Sequence, residues 1–433
     1  MYFSLLGSWV SQARRSLWRA AVTHSGILTL LAFAIALLVL AWGWKEHQHG
    51  RFAQLKAGLK EPANPQVTSS TRPGGQEPLV LERSQIQGTT EPEFLRAILL
   101  PGRGMNLFQI DAYIPQKGTV QLLASPPLEN VAKQFNGTGP DASGAASLSV
   151  GGAYEVPWAG RLYGNVSNDG KSLNIAWGPH MLNLPATWHN GGLAAANGGL
   201  LLKRASTIAT INVMPDGGEA QAVFDAGNFD GHWFSKTKVT TTVQLNSHAI
   251  EMKMVAQNTG DQPEPMGLGW QSRFAILSPE RTSVRLRLPS ETKTEINRKN
   301  GMPTGRLLTS TAPEREFASR DGAPLGALDL DDTFVHLHQD LMGDGPVLEI
   351  RDLANDYGLR ITTLSPTIKV LHVYAPADQN FISIAPRFNY DDPFGREWSM
   401  DEDAGMVTLA PGKSVEWHIR LEIFALSSAA QRM

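Results

Sequence analysis

Between Val239 and Met254 the chain alternates apolar and polar positions: Val239, Thr241, Val243 and Leu245 share one face, and after an Asn246-Ser247 turn Ile250, Met252 and Met254 share one again. Side chains of a strand point alternately to its two faces, so this is the pattern of a half-buried hairpin and not of a helix. An Asn258-Thr259-Gly260-Asp261 turn follows, and then Gly267-Leu268-Gly269-Trp270-Gln271-Ser272-Arg273-Phe274. The Gly-x-Gly step lets the backbone pass close to a neighbour before a new strand places consecutive side chains on opposite faces. A chain built this way must bury one face of its pairs against another layer.

The same texture runs from about Leu79 to Leu426. Thr119-Val120-Gln121-Leu122-Leu123, Ser283-Val284-Arg285-Leu286-Arg287-Leu288, Lys369-Val370-Leu371-His372-Val373-Tyr374 and Val415-Glu416-Trp417-His418-Ile419-Arg420-Leu421 all alternate, and Gly, Pro, Asn or Asp separate them. No long amphipathic helix competes, and no repeat of propeller or solenoid length is present, so the expected class is all-β, a large antiparallel β-sandwich in one domain spanning 79–426, with 427–433 as a tail. The 41 glycines, 27 prolines and 18% charged residues among 433 agree with a loop-rich β domain. A formal charge of -3 provides no basic face, so nucleic acid is not an expected partner. The absence of cysteine excludes disulfides, thiolate metal sites and a cysteine nucleophile.

The N-terminal part is different in kind. From Gly26 to Trp44 no residue is charged, and roughly 19 helical residues span about 28 Å, close to the hydrocarbon thickness of a bilayer. Residues 25–44 are therefore expected to form one transmembrane helix. Arg14, Arg15 and Arg19 precede it, whereas Lys45 and Arg51 follow with Glu46 between them, which places the N-terminus in the cytoplasm and the rest in the periplasm of a bacterial inner membrane. Trp42 and Trp44 fall at the outer interface. Ala-x-Ala triplets at Ala32–Ala34 and Ala34–Ala36 lie inside the apolar run, which favours an anchor over a cleaved signal. Residues 1–24 read as a cytoplasmic segment with amphipathic character, and 45–78, rich in Gln, Pro, Gly, Ser and Thr, as a flexible tether.

Several motifs in this domain share an order with a known family. Tyr154-Glu155-Val156-Pro157-Trp158-Ala159-Gly160-Arg161-Leu162 is similar to its Pro-Trp-x-Asn/Gly-Arg-Ile segment, and Ala196-Asn197-Gly198-Gly199-Leu200 falls where it has a His-Gly turn. Met302-Pro303-Thr304-Gly305 resembles its Pro-Thr-Gly turn, Leu330-Asp331-Asp332-Thr333-Phe334-Val335 its Asp-Asp-x-Phe strand, and Phe381-Ile382-Ser383-Ile384-Ala385-Pro386-Arg387-Phe388 its strand ending in Glu-Pro. With the Gly267–Phe274 run, these resemble the aldose 1-epimerase (galactose mutarotase) family. The resemblance implies a galactose mutarotase-like supersandwich with a sugar cleft in which Arg161, Gln271 and Asp332 touch the ligand and Trp158 and Trp270 form its aromatic wall.

It also implies a gap in the chemistry. Mutarotation needs one group to take the anomeric hydroxyl proton and another to protonate the ring oxygen, and the family uses glutamate and histidine. The histidine position falls on Gln271 and the glutamate position on Ala385, while Asn197 replaces a second histidine. Neither an amide nor a methyl group exchanges protons near neutral pH. Each catalyst is worth roughly 10²- to 10⁴-fold, so losing both removes most of the acceleration. His189, Asp332, His336 and His338 are the candidates for groups that could restore it.

Other constellations carry less. His336-x-His338 beside Asp340 lacks a third ligand, so no metal is expected. Asp391, Asp392, Glu397, Asp401, Glu402 and Asp403 lack the spacing of a calcium loop and read as a solvated acidic stretch. Gly267-x-Gly269 has no βαβ setting and signals no dinucleotide, and no cofactor is implied. Of Trp158, Trp188, Trp233, Trp270 and Trp398, one or two are expected at a cleft and the others in the core. Three functions fit: a membrane-tethered binder of a sugar or glycan, a divergent aldose 1-epimerase, or a non-catalytic accessory subunit of a membrane-protein complex.

Overall fold

The structure, a computed structural model, describes residues 72–131, 133–190, 192–297, 299–340 and 343–427. The chain divides into two units, Met1–Ser69 and Ser70–Met433. The expected cytoplasmic segment, the transmembrane helix at 25–44 and most of the tether lie outside the described residues. Among the described residues no helix is long and apolar enough to cross a membrane.

The second unit is mostly antiparallel β-structure. Among the described residues its two large sheets have 11 and nine strands, and smaller sheets of three, three and two strands accompany them. The expected hairpin forms as strands Thr237–Leu245 and Ala249–Asn258, with Val239 opposite Ala256, Val243 opposite Met252 and Leu245 opposite Ile250. Ala249–Asn258 then pairs with the long strand Ser414–Ala425, so Ile250, Met252 and Met254 stand beside Leu421, Ile419 and Trp417. All of these are buried.

The larger sheet supplies the opposing layer. Its central strands run in the order Gly152–Glu155, Gly269–Ala275, Phe381–Arg387, Val370–Ala375 and Leu330–Val335. Trp270, Phe274, Ile382, Ile384, Leu371, Val373, Leu330 and Phe334 are buried in the main core with residues of the nine-stranded sheet. Trp417 ties the layers together, meeting Tyr154 edge-on at 6.2 Å and donating its indole N–H to the Pro386 carbonyl at 3.0 Å. Because the even-numbered residues of Gly269–Ala275, Phe381–Arg387 and Leu330–Val335 share a face with the core, the odd-numbered residues of those strands face away from it.

The Asn258 turn is held by its own side chain. The Asn258 carboxamide oxygen accepts from Ser235 Oγ (2.8 Å) and the Gly260 N–H (3.0 Å), and its nitrogen donates to the carbonyls of Gln262 (2.7 Å) and Leu409 (3.0 Å). The packed part of the chain also begins earlier than Leu79. Pro73 is buried, and Gln76 donates to the Ser206 carbonyl at 2.8 Å and accepts from its hydroxyl at 2.9 Å. Residues 73–78, low in large apolar side chains, are thus docked on the domain by a turn and an amide.

Candidate functional site

The outward face of the larger sheet forms a grid. In its middle row Ala153 pairs with Gln271, the register continues to Ala385, and Ala385 pairs with His372, which pairs with Thr333. One row along, Arg273 stands opposite Ser383, Ser383 opposite Tyr374 and Tyr374 opposite Asp331. In the other direction the row is Glu155, Gly269, Arg387 and Val370. Gln271 and Ala385, the positions implied for acid and base, are thus brought side by side.

A loop closes one end of this grid. Asn389 accepts from the Ala159 N–H at 3.1 Å and donates to the Ala159 carbonyl at 2.8 Å, and Asp391 accepts from the Arg161 N–H at 3.0 Å. Gly160 has φ +69°, and a Cβ there would lie 2.1 Å from Asp391 Oδ1 and 2.2 Å from Arg387 Nη1. Only glycine fits a left-handed position pressed on an ion pair. The first residue of Gly267-x-Gly269 explains itself similarly, since its Cβ would sit 2.1 Å from Asn389 Oδ1.

Arg161 projects from this loop. Its guanidinium lies 4.6 Å from the Trp188 ring centre, and Tyr163 meets Trp188 edge-on. Asn197 pairs with Arg161 on the adjoining strand. Burial works against the Arg161 charge, but Asp391, Tyr163 and Asp331 outweigh it and hold the pKa above its ordinary value. Burial pushes the Tyr163 phenol up to about 12. Arg387 pairs with Asp391 at 3.0 Å, both buried. Beside them Glu155 accepts from the Gly160 N–H at 3.2 Å, its other oxygen has no partner, and burial raises its pKa.

His372 is the residue that the sequence reading missed. Its Nδ1 lies 3.1 Å from Thr333 Oγ1 and its Nε2 3.5 Å from Asp331 Oδ1. Burial, and then the charge of Arg387, hold its pKa well below the ordinary imidazole value, so the ring is neutral at neutral pH. In one tautomer such a ring accepts the Thr333 hydroxyl at Nδ1 and presents Nε2–H to Asp331; in the other it donates Nδ1–H to Thr333 Oγ1 and leaves the Nε2 lone pair free to take a proton.

Several expected positions move. Asp332 is not on the cleft face: it bonds Lys293 at 2.9 Å, which also holds Glu314 at 2.8 Å, and the neighbouring Asp331 takes the place beside His372 and Arg161. One residue of strand register exchanges the two faces. Trp158 and Trp270 are not a cleft wall, being 1% and 0% exposed. Trp158 stacks on Trp233 and donates to the Ala196 carbonyl, while Trp270 packs edge-on against Phe274 in the core. The cleft tryptophan is Trp188. Gln271 does face the cleft, but its amide nitrogen donates to the Leu148 carbonyl at 3.2 Å.

The histidines expected as candidate substitutes lie elsewhere. His189 is exposed and lines a different hollow, with Lys171, Lys203 and Arg204. His336 sits 3.4 Å from Glu402 at a second hollow with Asp403, and His338 lines a third beside Arg287 and Asp340. The acidic stretch is not uniformly solvated either: Asp391 and Asp392 are buried, and Asp392 is pushed up to about 8 by burial, the Tyr163 N–H opposing and Glu397 reinforcing the rise.

No protein-family model and no curated protein matches the sequence. Solved structures do match in fold. A galactose mutarotase-like protein from Clostridium acetobutylicum superposes with a TM-score of 0.63 at 16% identity, over 80% of this chain and 98% of that one. The GalM/aldose epimerase homologue from C. elegans gives 0.58 at 17%, over 81% and 99%, and galactose 1-epimerase from Lactobacillus acidophilus gives 0.54 at 14%, over 80% and 98%. The domain therefore has the galactose mutarotase-like fold.

Proposed function

We propose that this chain is a carbohydrate-binding protein, tethered to the bacterial inner membrane through 25–44 with its domain in the periplasm, whose mutarotase-like cleft lacks the standard acid and base. One observation carries the reading: Arg161, Asn197, Gln271 and Ala385 gather at one sheet face and its capping loop, with an amide and a methyl group where proton exchange is needed. Arg161 and Tyr163 against Trp188, with the Gln271 amide and the Asp331 carboxylate on the neighbouring sheet face, offer the planar hydrogen bonds and the apolar plate that a pyranose uses. Titration of the full chain in nonionic detergent with hexoses and uronates is expected to saturate without faster anomer exchange by polarimetry. Failure of every sugar to bind overturns the reading.

A second reading, a divergent aldose 1-epimerase, is favoured by the 3.5 Å contact of His372 with Asp331 beside Ala385. A neutral imidazole can take the anomeric proton, and its carboxylate neighbour stabilises the imidazolium formed and orients the ring for return of a proton to the ring oxygen. If this holds, anomer exchange falls about 10²-fold or more in His372→Asn while sugar binding persists, and the acid limb of the wild-type rate profile lies below the ordinary imidazole range. Absence of exchange in the wild type rejects it.

A further inference from the structure

We propose that the ligand of this cleft carries an anionic group, a carboxylate or a phosphate or sulfate ester on a sugar, and that Arg273 binds it. The inference rests on the sugar-binding reading and adds the ligand's charge. Arg273 stands on the cleft face of the Gly269–Ala275 strand, two residues from Gln271 and in the row of Ser383, Tyr374 and Asp331. Its guanidinium carbon lies 4.7 Å from the Phe381 ring centre, and Phe381 in turn leans on Tyr374 with ring centres 6.0 Å apart. The buried Nε–H has no acceptor.

Two other arginines of the domain are treated differently. Arg103 forms two bonds of 2.8 Å to Asp141. Arg281, which has no carboxylate in contact, is saturated by the carbonyls of Gly326, Gln379, Leu328 and Ala375. Arg273 has an aromatic plate beneath it and, among the described residues, neither an acid nor a carbonyl on its fork. A guanidinium keeps its charge in proteins and its fork matches two oxygens of a carboxylate or phosphate. The folded domain therefore holds a half-buried cation with no carboxylate partner among the described residues.

The charges around it agree. Arg161, Arg273 and Arg387 face Asp331 and Asp391, with the His372 ring neutral and the buried Glu155 shifted toward its neutral form. Carboxylates act on Arg161 and Arg387, and none acts on Arg273 among the described residues. Residues two apart on a strand are separated by about 6.7 Å, the scale of a pyranose with an exocyclic substituent. A ring over Gln271, Ala385 and His372 thus brings an acidic substituent to Arg273.

The test is calorimetric titration of the full chain in nonionic detergent with glucose, glucuronate, galacturonate and glucose 6-phosphate, on the wild type, Arg273→Gln and Arg273→Met. A charge-assisted pair predicts that at least one anionic sugar binds about tenfold or more tighter than glucose, and that both variants lose this advantage while keeping the glucose affinity. The uronates and the phosphate ester separate a carboxylate site from a phosphate site. Equal binding of glucose and all anionic sugars by the wild type overturns the inference while leaving the sugar-binding reading intact, and does so even if a variant fails to fold. Parallel loss of glucose and anion binding in folded variants overturns it too, since Arg273 would then act by holding the cleft's shape. Binding of no sugar, neutral or charged, removes both.

Discussion

Glu264, in the segment that leads from the Asn258 turn to the Gln271 strand, is fully buried. One carboxyl oxygen accepts from Thr237 Oγ1 at 2.9 Å and the other has no partner. Burial, opposed by the Thr237 bond, pushes its pKa from 4.5 up to about 7. Below pH 4.5 the folded and unfolded chains both hold the proton, and this group adds no slope. As the pH rises from there the unfolded chain ionises while the folded one does not, so stability falls until about pH 7 and is level above it. The shift of about 2.5 units, from 4.5 to about 7, corresponds to about 3 kcal/mol as an upper bound. Glu264→Gln keeps the size and can still accept from Thr237, yet cannot ionise. In paired urea or thermal unfolding at pH 4.5, 6 and 8, the variant is expected to match the wild type at the lowest pH and to exceed it progressively, by up to about 3 kcal/mol at pH 8. Comparing the two proteins at each pH cancels every other titrating group. A difference that is constant with pH, or a wild type more stable at pH 8, refutes the reasoning.

Two structural predictions accompany it. At Gly269 a Cβ would lie 2.7 Å from the Ala159 Cβ, 3.1 Å from Glu155 Oε2 and 3.4 Å from the Arg387 Cβ; Gly269→Ala is expected to cost about 1–3 kcal/mol in urea unfolding and to weaken sugar binding, because the loop bearing Arg161 must lift. Asn258→Ala removes four hydrogen bonds to Ser235, Gly260, Gln262 and Leu409. A loss of about 2–4 kcal/mol is expected, and a midpoint within 0.5 kcal/mol of wild type, about the scale of a surface substitution, contradicts the assignment.

The hairpin at 237–258 was legible because alternation reports burial directly when one face of a sheet packs on a core. At Asp331 and Asp332 the same alternation separates the two faces. Leu330 and Phe334 are the members of their strand in the main core, so Asp332 has core parity, while Asp331 shares the other face with Val335. His372 lay in a quoted alternating strand between Leu371 and Val373, and the same parity assigns it to the outward face. What alternation does not carry is which outward residues meet across strands. His372 reaches Ala385 and Asp331 only through registers fixed by pairing over the whole sheet. The tryptophans illustrate another limit: their size is compatible with core or cleft, and the contact of Trp188 with Arg161 depends on strands far apart in sequence.

The division of faces also says how this fold can vary its outward residues. Even-numbered residues such as Trp270, Ile384 and Phe334 are packed in the core, whereas the odd-numbered positions Gln271, Ala385 and Thr333 face the cleft and contribute little of that packing. A change of Glu to Ala or His to Gln at those positions therefore leaves the sandwich intact. Arg161 and Arg387 are a separate matter, since Asp391 binds both the Arg161 backbone and the Arg387 guanidinium and so joins loop to sheet. The arginine loop is thereby tied to stability, and the outward positions 271 and 385 are not. On the proposed reading, a cleft with its arginine loop, an amide and a methyl group at the acid and base positions, and a histidine one strand over is what this arrangement permits, and the His372→Asn and Arg273→Gln measurements probe those two parts independently.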